Sequence, residues 1–107
     1  IRVIFEPHRF SRTQECWEQF IHCFKGADEV WLMPIYSAGE NPLEGIDSAR
    51  LTKEINKSYP SLVTEITNSD ELIKLIPSKA QENTSILVLG AGSIGRKVRD
   101  IIKTFKN

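Results

Sequence analysis

Apolar residues fall in short blocks, and the period inside each block changes along the chain. Residues 1–5 (Ile-Arg-Val-Ile-Phe) are mostly β-branched and aromatic and stop short of Pro7, which predicts a strand. Cys16, Trp17, Phe20, Ile21, Cys23 and Phe24 then follow the i, i+3, i+4, i+7 rule. That spacing predicts one helix, capped by Ser11 or Thr13, running to about Lys25 and ending at Gly26. Residues 29–33 (Glu-Val-Trp-Leu-Met) predict a second strand, stopped by Pro34. The stretch 35–46 is punctuated by Gly and Pro and has no period; connections this long in a compact domain are often functional.

Asp47 predicts the cap of a helix reaching about Lys57, with Leu51 and Ile55 facing inward. Residues 62–66 alternate in part and predict a third strand near an edge. Ser69 predicts the cap of a short helix, 70–76, whose acidic first turn suits the helix dipole and which Pro77 closes. A polar loop, 77–84, leads to residues 85–89, the most apolar strand, expected at the centre of the sheet. A glycine loop, 90–95, opens a last helix through about Phe105 with the stripe Ile94, Val98, Ile101, Ile102 and Phe105. Strands alternating with helices predict the α/β class, with a mostly parallel sheet flanked by helices. Right-handed crossovers place every strand-to-helix loop on one rim, where ligands of open α/β sheets bind.

Composition narrows the picture. A chain of 107 residues is one domain with a modest core. Its 14 basic and 14 acidic residues balance, which argues against a nucleic-acid surface. No apolar run approaches the ~20 residues of a membrane span, and no leader pattern opens the chain. A first residue of Ile rather than Met points to a piece of a longer protein. Cys16 and Cys23 are seven residues apart on one predicted helix, about 10 Å by the helix rise, too far for a disulfide. They read as buried free thiols, in keeping with a cytoplasmic protein. His22 beside them lacks the further ligands a metal site needs.

Three loops on the rim carry the candidate chemistry. His8, Arg9 and Arg12 cluster at the first strand-to-helix turn. Guanidinium forks match carboxylate or phosphate, and the start of a helix adds positive potential. From the pattern alone, an anion clamp and a solvated surface pair both remain open. Gly90-Ala-Gly-Ser-Ile-Gly95 matches G-x-G-x-x-G after a strand. Only 12 residues follow it, too few for the acidic strand end that dinucleotide binding requires, so a tight turn and a ligand-facing loop (Gly90, Gly92, Ser93) remain. Tyr36-Ser-Ala-Gly-Glu40 sits on the same rim, with Tyr36 read as a packing residue. There is no phosphate loop, nucleophile elbow or His-Glu-x-x-His pair.

Taken in order, Phe5-Glu-Pro-His-Arg-Phe-Ser-Arg-Thr13, Ala27-Asp-Glu-Val30, Ile35-Tyr-Ser-Ala-Gly-Glu40 with Gly45-Ile-Asp-Ser48, and Leu89-Gly-Ala-Gly-Ser-Ile-Gly95 resemble the C-terminal domain of the Mur ligases over essentially the whole chain. The Pro-His-Arg-aromatic-Ser-Arg block is the specific part. It resembles the members that join L-alanine to UDP-N-acetylmuramate in peptidoglycan biosynthesis, and differs from the tripeptide recycling ligase.

The resemblance implies a Rossmann-like three-layer domain. It also implies an ATP- and Mg²⁺-dependent amide ligase whose N-terminal and central domains hold the UDP-sugar and the nucleotide. In it, His8, Arg9 and Arg12 line the amino-acid pocket and the glycine loop faces the same pocket. No residue of this chain is expected to be catalytic, and residues 1–107 alone are expected to be inactive. A nucleotide-binding Rossmann-like module, or another Mur-type ligase such as the tripeptide recycling ligase, is the alternative. Two positions depart from the family: Glu6 stands where Gln is usual, and Ser93 where Asp or Asn is usual. The family's Asp-Asp-Tyr-x-His-His-Pro segment and phosphate loop would lie upstream of Ile1.

Overall fold

A computed structural model describes residues 1–68, 70–80, 86–90, 94–96 and 98–99, with 76–80 described by backbone. Strands β1 (Arg2–Phe5), β2 (Glu29–Leu32), β3 (Val63–Glu65) and β4 (Ile86–Leu89) form one parallel sheet in the order β3-β2-β1-β4. Phe5 pairs with both Leu32 and Leu89, so the carboxyl ends of β2, β1 and β4 finish level. The α/β class and the parallel sheet are as the sequence predicts.

The period of two along each strand sends alternate side chains to opposite faces. Val3, Phe5, Val30, Leu32 and Val63 meet Ile21, Phe24, Leu51 and Ile55 on one face. These come from α2 (Trp17–His22), the turn after it, and α3 (Ser48–Ser58). Ile4, Trp31 and Met33 meet Ile66, Leu72, Ile94 and Val98 on the other. That face is covered by α4 (Asp70–Ala80) and the helical residues 94–96 and 98–99. The result is a three-layer, Rossmann-like domain. Fully burying an aliphatic or Phe side chain contributes about 1.5–3 kcal/mol, so these two clusters carry the fold. No helix among the described residues is long and apolar enough to cross a membrane.

Local polar pairs set the element ends. Asp47 caps α3 by accepting from the Arg50 amide at 2.7 Å, as predicted. The buried Ser48 hydroxyl donates to the Met33 carbonyl at 2.6 Å and ties α3 to the end of β2. The Asn56 amide donates to the Val63 carbonyl (3.0 Å) and accepts from the Val63 amide (2.9 Å), as a neighbouring strand would.

Four expectations need correction. The predicted helix to Lys25 is two: α1 (Phe10–Glu15) and α2, separated at Cys16, whose backbone leaves helical geometry (φ −100°, ψ 13°). The break lets α1 bury Thr13 while α2 turns Phe20 and Ile21 onto the sheet. Cys23 is exposed rather than buried, because it lies past the end of α2 beside Gly26. Helix α4 continues through Pro77 to Ala80; a proline removes one amide from the ladder, yet later residues can keep helical angles. Finally, β4 lies at an end of the four-stranded sheet, not at its centre. Its apolar run hid the asymmetry: Ile86 and Val88 pack inward, while Leu87 and Leu89 are 49% and 37% exposed. At the start of α4, Asn68 accepts from the Asp70 amide at 3.0 Å. Ser69, the predicted cap there, and Ile101, Ile102 and Phe105 lie outside the described residues.

Candidate functional site

The loop after β1 is built by backbone pairing that resumes beyond two prolines. The Tyr36 amide donates to the Pro7 carbonyl at 2.9 Å, and the Arg9 amide donates to the Tyr36 carbonyl at 2.7 Å. This isolated parallel bridge sets His8 opposite Tyr36, and their rings stack with centroids 5.4 Å apart at 24°. Tyr36 therefore packs, as predicted, but against His8 and half exposed.

Arg9 takes φ 72° and ψ 145°, a conformation in which a side chain is strained. Its amide is held by Tyr36, and its carbonyl accepts from the Thr13 amide (3.1 Å) and the Thr13 hydroxyl (2.7 Å). Thr13 is fully buried, so this anchor is shielded from water.

Neither Ser11 nor Thr13 caps α1 as expected. The Ser11 amide and hydroxyl instead both donate to the Glu40 carboxylate, at 3.0 and 2.6 Å. Those bonds hold Glu40 below its ordinary pKa; the Ser11 hydroxyl contributes most, then the Ser11 amide, with a smaller pull from Arg9. The sequence suggested a helix start open to an anion, and a protein carboxylate occupies it. Glu40 reaches Ser11 because the chain reverses just before it. Ala38 (φ 51°) and Gly39 (φ 90°) are both left-handed, and the Glu40 amide closes the turn on the Ser37 carbonyl at 3.0 Å.

The sheet order makes this loop part of a crevice. From β1 the chain winds outward to β3 and then returns to β4 on the other side of β1, so the winding direction reverses between β1 and β4. Open α/β sheets bind ligands at this switch point. A cleft of about 540 Å³ lies there, lined by Phe5, Glu6, His8, Arg9, Arg12, Phe20 and Gly90.

All three predicted residues of the first loop thus share one cleft. Arg9 and Arg12 are exposed, and among the described residues no carboxylate forms an ion pair with either. Two guanidinium forks beside the aromatic surfaces of Phe5 and Phe20, with Glu6 also on the lining, suit a small molecule that carries a carboxylate.

Of the glycine loop, Gly90 lines the cleft, while Gly92 and Ser93 lie outside the described residues. A β-carbon on Gly90 would stand 2.9 Å from Ile94 Cγ2 and 3.1–3.2 Å from Glu6 Cβ and O. Close packing therefore accounts for this glycine without a nucleotide. Among the described residues no group of three His, Cys, Asp or Glu side chains could hold a metal ion.

The sequence placed Ser11 and Thr13 at a helix start and Glu40 on the rim, but did not show the Glu40–Ser11 and Thr13–Arg9 contacts they make. The legible signal for Glu40 was Ser-Ala-Gly-Glu, a turn that returns the chain; its partner across 29 positions left none.

Comparison with known proteins agrees with this architecture. Residues 1–92 match the family described as "Mur ligase, glutamate ligase domain". The chain is 43% identical over 95 residues to the UDP-N-acetylmuramate–L-alanine ligase of Prochlorococcus marinus, covering 88% of this chain and 19% of that protein. It is 40% identical over 94 residues to the enzyme of that name from Allorhizobium ampelinum, covering 88% and 20%. With that of Rickettsia canadensis it shares 36% over 106 residues, covering 98% and 22%. The chain spans about a fifth of the length of these curated relatives.

Proposed function

The chain belongs to the Mur ligase family, and from that premise we propose that it is the amino-acid-docking C-terminal domain of a ligase that joins L-alanine to UDP-N-acetylmuramate in peptidoglycan biosynthesis. One observation carries the reading: Arg9 and Arg12, without carboxylate partners among the described residues, line a single cleft at the switch point of the sheet.

In this reading the alanine carboxylate lies on the two guanidiniums, and His8, steadied by the Tyr36 ring, closes one side. Phe5 and Phe20 give the methyl group an apolar wall. With its carboxylate fixed, the substrate presents its neutral amine outward, toward the muramoyl carboxylate. ATP, held with Mg²⁺ by the central domain, supplies the phosphoryl group that activates that carboxylate. The amine nitrogen forms the C–N bond, the C–O bond to phosphate breaks, and the amine proton leaves to solvent or base. Fixing the geometry is worth up to ~7–11 kcal/mol of barrier, and this is what the domain supplies. The N-terminal domain takes the UDP-sugar. The 107-residue chain by itself makes no product, and the whole enzyme works in the cytoplasm, where its nucleotide substrates are.

Arg12→Ala in the full-length ligase tests this. Loss of one charge-assisted partner should raise the alanine KM roughly 10- to 100-fold, with the KM for UDP-N-acetylmuramate unchanged. An unchanged alanine dependence would remove the assignment.

A further inference from the structure

We propose that Glu40 is a positioning residue for the arginine clamp, holding the first turn of α1 so that Arg9 and Arg12 face the cleft. The inference rests on the amino-acid-docking reading above. Ser11 lies between the two arginines in the chain, and it is the residue Glu40 grips at two atoms, amide and hydroxyl. Two hydrogen bonds to one carboxylate fix the rotation of that turn as well as its distance. The grip replaces a conventional cap, since no side chain at Arg9 supplies one.

The second anchor of the same turn, the Tyr36 carbonyl on the Arg9 amide, comes from the same loop. Tyr36 through Glu40 therefore forms a backstop: it contacts the start of α1 on either side of the Ser37–Glu40 turn, and the left-handed pair Ala38 and Gly39 brings those contacts together. Because each oxygen of Glu40 already accepts a bond from Ser11, the carboxylate is committed to the protein and is not aimed at substrate. Among the lining residues of the cleft, Glu40 is absent while both arginines are present.

The test uses the full-length ligase with Glu40→Ala, Ser11→Ala, the double variant and Arg12→Ala in parallel. Glu40→Ala should raise the alanine KM about tenfold with kcat and the other two KM values close to wild type. Ser11→Ala keeps the amide bond and should give a smaller rise. The double variant should match Glu40→Ala alone, because both changes remove one interaction.

Additive effects of the two changes, or a fall in kcat with the alanine KM held, would overturn the positioning role. So would KM values that rise together for all three substrates with a large fall in thermal midpoint, which marks general loosening. If Arg12→Ala raises the alanine KM and Glu40→Ala does not, positioning is overturned and the docking reading stands. If neither does, both are overturned.

Discussion

Two strand-to-helix turns meet at the cleft, after β1 and after β4, and they are held by opposite means. After β1, a residue with a long side chain, Arg9, sits in a strained left-handed conformation and is fixed by hydrogen bonds at its amide and its carbonyl. After β4, Gly90 is fixed by contact: Ile94 and Glu6 leave no room for a β-carbon. The glycine marks close packing; under the proposed docking function, the arginine marks a place where backbone comfort is given up to aim a side chain. The sharpest way to break this contrast is Gly90→Ala. Its new carbon would meet the buried Ile94 at 2.9 Å and the Glu6 backbone at 3.2 Å, neither able to swing aside. A loss of about 1–3 kcal/mol is expected in urea unfolding of the chain. A neutral result would mean the β4 turn is not set by packing.

The β1 turn should respond with smaller changes and, at one position, with the opposite sign. Thr13→Val keeps the buried shape and removes the hydroxyl on the Arg9 carbonyl, which retains the Thr13 amide. A loss of about 1 kcal/mol is expected. Arg9→Gly relieves a conformation costing about 1–3 kcal/mol, against about 0.4–1 kcal/mol for the freer unfolded chain. The two ranges leave a net gain of about 0 to 2.6 kcal/mol, so the variant should be the more stable in urea unfolding, while the full-length ligase carrying it should bind alanine less well. Stability and function would then move in opposite directions at one residue, as expected where strain serves a site. A destabilised Arg9→Gly would show that the side chain, and not the backbone, holds the turn.

The same contrast explains what could be read before the structure. Periodicity located β1, β2, α3 and the edge strand β3, because burial on one face writes itself into local sequence. It also singled out His8, Arg9 and Arg12, since chemistry-bearing residues at a strand end stand out against an apolar run. It misjudged β4, because a run of Ile, Leu and Val looks the same whether one face or both are covered. It joined α1 to α2, because the apolar spacing passes smoothly through Cys16, where the backbone leaves helical geometry. Glu40 was out of reach for a related reason. Its meaning lies in a contact 29 residues away, and pairings of that kind are fixed by topology rather than by any local pattern.

The two turns should also differ in their response to acid, with the smallest effect of the set. The β1 turn is held in part by a carboxylate whose folded pKa lies below the ordinary 4.5, through the Ser11 hydroxyl first and the Ser11 amide next. A depressed carboxylate pKa contributes stability that is complete above the unfolded value and is lost as pH falls through the folded one. The difference in thermal midpoint between wild type and Glu40→Gln should therefore be constant at neutral pH, shrink below about 4.5, and vanish in stronger acid. Glu40 is half-buried at the surface, within reach of solvent and salt, so this difference is small and shrinks further as ionic strength rises. Glu71, which accepts from the Thr67 amide at 2.9 Å and from the Thr67 hydroxyl ahead of α4, obeys the same sign and provides a control that is not on the cleft lining. The Gly90→Ala deficit comes from carbon contacts, one carbonyl oxygen and a positive φ (159°) that side-chain-bearing residues rarely adopt, none of which titrates, and it should hold its size across the same pH range. If that deficit also faded in acid, the β4 turn would depend on a titrating group, and the division between a turn held by charge and a turn held by packing would collapse.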